Sequence, residues 1–227
     1  MALLFEPAPP VTLPIAGDSR LFPVHRVYCV GRNYADHAIE MGFDPDKEPP
    51  FFFQKNPDNI VSDGRFPYPP ASEDVHFEIE LAVALRTGGQ DIPADDALEH
   101  VFGYAVALDM TRRDLQGQAK KMGRPWEVGK AFEHSAPISA LMPAAEIGHP
   151  RSGNIWLDVD GERRQDGDLA QMIWKVPEMI SLLSGLFTLQ SGDIIFTGTP
   201  AGVGPVQKGN RLKGGIDGVG KLAVEVV

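Results

Sequence analysis

Residues 77–85 read Phe-Glu-Ile-Glu-Leu-Ala-Val-Ala-Leu, and their reading decides the fold class. Successive side chains in a strand point to opposite faces. Phe77, Ile79, Leu81 and Val83 therefore share one face, and Glu78, Glu80 and Ala82 share the other. The first face belongs to a core. The second carries two carboxylates on one side of one strand, and without a partner two such groups repel. A hard divalent cation would relieve that repulsion. A half-exposed strand with a solvated acidic face is the plainer alternative.

The flanking sequence reads as further short strands with few helices. Residues 26–30 read as a strand closed by a turn at Gly31. Residues 33–41 (NYADHAIEM) read as a short helix that stops at Gly42. Residues 51–54 are another strand, and 56–75, rich in Pro, Asp and Ser, read as loop. Residues 101–108 form a mostly apolar strand of the buried type. Residues 111–121 read as a polar helix with Thr111 as its N-cap and Asp114 three residues on. Residues 155–159 and those after Asp160-Gly161 read as a hairpin. Pro177 suits the first turn of a helix to about Leu186, and 191–193 turn into a strand at 194–197. Two short segments, 207–212 and 222–227, close the chain. Residues 1–24 are Pro-rich and read as an N-terminal arm. No linker or repeat divides the remainder, 25–227, so one β-rich α+β domain is expected.

With 227 residues, 43% hydrophobic and 23% charged, the chain is long enough to bury a sizeable core. Its formal charge of −10 argues against nucleic acid or an anionic membrane as partner. The single cysteine, Cys29, excludes an intrachain disulfide and a cysteine zinc site. The apolar start is too short for a signal-peptide core, and no apolar stretch is long enough to span a bilayer. A cytoplasmic location is the default expectation.

Asp109 ends the apolar run 101–108, and a carboxylate at the mouth of a buried strand needs a partner or a metal. Together with Glu78 and Glu80 it would form an all-oxygen site suited to Mg²⁺, Mn²⁺ or Ca²⁺. The alternative is that Asp109 merely leads into the next helix. His37 and Glu40, three apart on the short helix, form a possible base with its orienting carboxylate, or a surface pair. Arg32, Lys55, Arg113 and Lys130 each lie beside one of these motifs. Gathered in one pocket they would suit a dianionic substrate; scattered, they are ordinary surface cations. The Gly-rich stretch 197–204 (TGTPAGVG) lacks the Lys-Ser/Thr of a P-loop and the spacing of a dinucleotide fingerprint. Its N–H groups and the Thr199 hydroxyl would suit a carboxylate, or the stretch is only a turn.

Five blocks in order, GRNYADHAIEMG (31–42), FEIELAVAL (77–85), ALDMTRRDLQ (107–116), GKAF (129–132) and GDIIFTGTPAGVGP (192–205), resemble the fumarylacetoacetate hydrolase family. The short acylpyruvate and fumarylpyruvate hydrolases are the nearest type. The resemblance covers the chain from about residue 20. It implies a roll of mixed β-sheets with short flanking helices, usually dimeric, so a homodimer is expected, with 25–227 as the catalytic domain. It implies one Mg²⁺ or Mn²⁺ held by Glu78, Glu80 and Asp109, a His37–Glu40 dyad and Lys130 beside the metal. Arg113, Gln116 and Thr199 resemble substrate-contacting positions, with Arg32 and Lys55 as weaker ones. One departure is Ala131, where the family often has serine after the lysine.

The implied reaction is hydrolytic C–C cleavage of a 3-acylpyruvate, a small anionic 2-oxo acid, to pyruvate and a carboxylic acid. Oxaloacetate decarboxylation or 2-oxo-dienoate isomerisation on the same site is the second expectation. A non-catalytic 2-oxo acid binder is the third. The segment 42–75 is expected to act as a lid and to set specificity.

Overall fold

Every side chain of the strand Ile79–Leu85 is buried, so its alternation separates two cores and not a core from solvent. Ile79, Leu81, Val83 and Leu85 pack in the larger core with Tyr104, Val106 and Leu183. Ala82 and Ala84 pack in a smaller one with Ala105, Ala107, Ile138 and Leu141. The structure, a computed structural model, describes residues 3–35 and 49–227.

This strand lies inside a six-stranded sheet of order Met142–Pro143, Val101–Leu108, Ile79–Leu85, Ile194–Phe196, Val27–Gly31, Phe51–Lys55. All neighbours are antiparallel except Ile194–Phe196 and Val27–Gly31. A five-stranded sheet runs Glu162–Asp168, Asn154–Val159, Arg211–Ile216, Gly220–Val226, Arg65–Phe66, and its last pair is parallel. A small third sheet joins Thr111–Arg112, Val75–Phe77 and Gly204–Pro205. Among the described residues the longest helices are Arg113–Lys121 and Val176–Leu186. The fold is thus a β-rich α+β roll of mixed sheets with short flanking helices. Among the described residues no helix is long and apolar enough to cross a membrane.

The hairpin at 160–161 turns on two positive φ angles, 52° at Asp160 and 88° at Gly161, the pair that matches the twist of the flanking strands. The Pro-rich segment 1–24 contains a hairpin of Thr12–Ile15 and Asp18–Pro23. It buries Leu13 and Phe22 in the smaller core, and Ile15 bridges to Leu141. Residues 56–75, expected as loop, also contain pairing. Ile60–Val61 pairs with Ala136–Pro137, and Arg65–Phe66 with Gly220–Val226. Two-residue strands paired to distant partners leave no periodicity to read. The helix expected at 33–41 falls largely on residues outside those described.

Thr111 is not a helix cap. Thr111–Arg112 pairs with His76 and Val75, so the helix starts two residues later, at Arg113. Asp114 in its first turn ties down the distant loop at Ser72 and Glu73, accepting from Ser72 Oγ at 2.7 Å and Glu73 N at 3.1 Å, and also accepts from Leu115 N at 2.8 Å. Partial burial raises its carboxyl, but these donors outweigh burial and hold it below the ordinary value. A depressed acid contributes stability above its unfolded value and loses it as pH falls through the folded one. Asp114→Ala is therefore expected to cost about 1 kcal/mol at pH 7, an upper figure because the group is partly solvated. In urea titrations the gap from wild type should close as pH drops below 3.8. A gap that stays constant with pH would contradict this role.

Candidate metal and substrate site

The register of the large sheet brings the acids together. Ile79 pairs with Leu108, so one step further Glu78 meets Asp109, whose N–H donates to the Glu78 carbonyl at 2.8 Å. Phe196 pairs with Ala82, so two steps further Gly198 meets Glu80. Gly198 N–H donates to Glu80 Oε2 at 2.7 Å. Gly198 has φ +90° and an added Cβ would lie 2.8 Å from Asn33 Cβ, so a side chain there is strained and crowded.

Glu78, Glu80 and Asp109 are 5%, 2% and 0% exposed, which removes the solvated acidic face. One carboxylate oxygen from each lies within 4.8 Å of the others. Lys130, from the short helix Glu127–Lys130, donates to Glu78 Oε2 at 2.9 Å, Asp109 Oδ2 at 2.8 Å and Thr111 Oγ1 at 2.7 Å. Those three bonds use all its protons. Burial pulls its pKa down, but the charges of Asp109 and Glu78 prevail and hold it above the ordinary lysine value. Arg113 donates to Glu78 Oε1 and, at 2.8 Å, to Gln116 Oε1.

Lys55 stands behind Asp109. It is fully enclosed, 2.8 Å from Asp109 Oδ1, and donates to Ser135 Oγ at 3.0 Å and to the carbonyls of Met110 and Lys130. Its contact with Asp109 is an ion pair without hydrogen-bond alignment, since Oδ1 accepts no aligned bond. Lys55 thus does not line the cavity formed by the acids, whereas Arg32, Arg113, Gln116, Lys130 and Thr199 do. The Lys130 carbonyl also accepts from Ser135 Oγ at 3.1 Å, so a hydroxyl is supplied there although residue 131 is alanine. His37 and Glu40 lie outside the described residues.

Glu80 differs from its neighbours. Glu78 and Asp109 have cationic side chains against them. Among the described residues Glu80 accepts one hydrogen bond, from Gly198 N–H, and no cation is ion-paired to it, the charge of Lys130 acting from a distance. Burial above all, then the charges of Asp109 and Glu78, push its carboxyl well above the ordinary range. A buried acid so placed needs a positive charge or a proton. Three convergent carboxylates, all oxygen, fit a hard divalent ion such as Mg²⁺ or Mn²⁺. The cavity, partly open to solvent, is about 40 Å³, room for an ion and a few waters. A whole substrate must extend into the mouth.

Thr199 is oriented from behind. Gln165 Oε1 accepts from Ile79 N–H at 3.0 Å, which fixes its amide, and Nε2 donates to Thr199 Oγ1 at 2.8 Å. Thr199 accepts that bond, so its own proton is left to donate elsewhere. Arg32, in the left-handed region at φ 59°, places its guanidinium 5.3 Å from the Phe51 ring centroid. Sequence reasoning missed Thr111, Gln165, Ser135 and Lys120. Gln165 sits in a polar hairpin strand, and nothing in the pattern marks it as the buried position. Lys120, by contrast, lies four residues after Gln116, a spacing that puts both on one helix face.

The family described as "Fumarylacetoacetate (FAA) hydrolase C-terminal" matches residues 26–227. The fold is similar to a solved structure, "fumarylpyruvate hydrolase from Pseudomonas aeruginosa in complex with Mn2+ and pyruvate", with TM-score 0.98 and 57% identity, covering 100% of this chain and 99% of that one. The sequence is 43% identical over 201 residues to a mitochondrial oxaloacetate tautomerase of Arabidopsis thaliana, covering 88% of this chain and 90% of the relative. It is 44% identical over 200 residues to an oxaloacetate tautomerase of Escherichia coli K12, covering 87% and 90%.

Proposed function

Since the chain belongs to the fumarylacetoacetate hydrolase family, we propose that it hydrolyses the C–C bond of a 3-acylpyruvate, of which fumarylpyruvate is the leading candidate. The observation that carries this reading is the buried triad Glu78, Glu80 and Asp109 with Lys130 bound to two of its members. Likeness across the whole chain to a fumarylpyruvate hydrolase supports it.

Glu78, Glu80 and Asp109 would hold a divalent ion, which would supply Lewis-acid polarisation of the substrate. Three carboxylates are matched by Lys55, Arg113 and Lys130, so an added dication would leave the site net positive. That surplus suits a dianionic substrate. The Thr199 proton donates to the substrate carboxylate, with Gln165 holding its oxygen. His37, backed by Glu40, takes a proton from water, and the hydroxide bonds to the distal carbonyl carbon. The C–C bond then breaks and its electron pair passes to the pyruvate enolate. Lys130 stabilises the negative charge developing there. Protonation of the enolate carbon gives pyruvate, and the acyl group leaves as a carboxylic acid.

A second reading is oxaloacetate chemistry, favoured by the names of the 43% and 44% identical relatives. Tautomerisation moves a proton and needs no nucleophilic water. The two readings separate in kcat/KM for acylpyruvates, fumarylpyruvate and oxaloacetate, each with Mg²⁺ and with Mn²⁺. An acylpyruvate is expected to lead oxaloacetate by at least about tenfold, the scale of a single polar contact. Rapid oxaloacetate conversion with inert acylpyruvates would replace the first reading by the second.

A further inference from the structure

We infer that Lys120 receives the second, distal carboxylate of a dicarboxylic 2-oxo acid and so selects dicarboxylates over their monocarboxylic counterparts. This rests on the 2-oxo acid reading and names the substrate class within it.

Lys120 lies in the last turn of the helix Arg113–Lys121, on the face that also carries Arg113 and Gln116. All three line the cavity of the acids. Its ammonium lies 4.8 Å from the Trp126 ring centroid. Among the described residues no carboxylate is hydrogen-bonded or ion-paired to it. Lys130 and Arg113 are engaged with Glu78 and Asp109, and Lys55 lies behind them. Among the described residues Lys120 is thus a cation at this cavity with no acid hydrogen-bonded or ion-paired to it.

Burial first, then the charge of Arg113 and further Lys130 and Arg32, pull its pKa to about 8. Glu78 opposes this shift, and an anion beside the ammonium would offset its burial and the repulsion of Arg113. The wall beside it is aromatic. Phe51 and Phe53 line the cavity and pack on Trp126 with centroids 5.0 and 5.8 Å away. An apolar or conjugated stem fits such a wall, with a charge at each end. Lys120 and this wall line the same partly open cavity as the acids, so a substrate seated at the acids extends its far end along them.

The test compares two unreactive ligands of equal chain length, 2-oxoadipate and 2-oxohexanoate, by calorimetry on the Mn²⁺-loaded full chain. Wild type is expected to prefer the dicarboxylate by about 10–100-fold, the range of one charge-assisted hydrogen bond. Lys120→Met should reduce that preference to about threefold or less, while Lys120→Arg keeps most of it. Continued binding of 2-oxohexanoate by Lys120→Met serves as the check on folding. A preference that survives in Lys120→Met, or a wild type that binds both ligands alike, would overturn the assignment and leave the 2-oxo acid reading standing. A wild type that binds neither would overturn both.

Discussion

Replacing Lys130 with methionine is expected to lower metal-free stability by about 3 kcal/mol and to abolish turnover, at the lower end of the cost of breaking a buried ion pair. The ammonium makes three hydrogen bonds, to Glu78, Asp109 and Thr111. Methionine fills similar volume and offers none of them. Glu78 keeps Arg113 and Asp109 keeps Lys55, which is why the expected loss lies at the lower end. The shift is read from urea midpoints at neutral pH. Saturating Mn²⁺ should recover part of it, because an ion neutralises the same carboxylates. It should not recover turnover, since the group proposed to stabilise the developing enolate charge is gone. An unchanged midpoint would show that the Lys130 network is not what holds these acids buried.

Glu80→Gln is expected to move stability the other way. Its carboxyl is buried, has no cationic side chain against it among the described residues, and is pushed well above the ordinary range by burial and by Asp109 and Glu78. Glutamine removes the charge and keeps an oxygen for the Gly198 N–H. Metal-free stability should therefore hold or rise, by about 1–2 kcal/mol at pH 8, as expected when an unrewarded buried charge is removed. Turnover should fall by roughly 10²–10³-fold or more, the scale of losing a main electrostatic stabiliser. A Glu80→Gln protein that is less stable without metal, or near wild type in turnover, would contradict the role assigned to this residue.

Strand alternation made the acids candidates, and the resemblance of five ordered blocks joined them into one set. Glu78 and Glu80 share a face by their spacing, and Asp109 ends a run too apolar for a solvated acid. The same rules missed the two-core arrangement, since alternation cannot tell a face closed by alanines and a second layer from a face open to water. Thr111 was legible as a cap and is instead an acceptor for Lys130, because its pairing partner, His76, is remote in sequence. Gln165 and Ser135 act through contacts that join distant segments, for which a local pattern holds no signal. Lys55 reads as one more cation near a motif. Only the packing places it behind Asp109, where it supports the acid from the rear.

The proposed chemistry depends first on the cation. Mn²⁺ added to the metal-free chain and followed by electron paramagnetic resonance should lose the free-ion signal up to one ion per chain, and Glu80→Gln should leave that signal largely intact. A wild-type chain that leaves all the Mn²⁺ free, or a Glu80→Gln chain that binds it as tightly, would contradict the site at Glu78, Glu80 and Asp109.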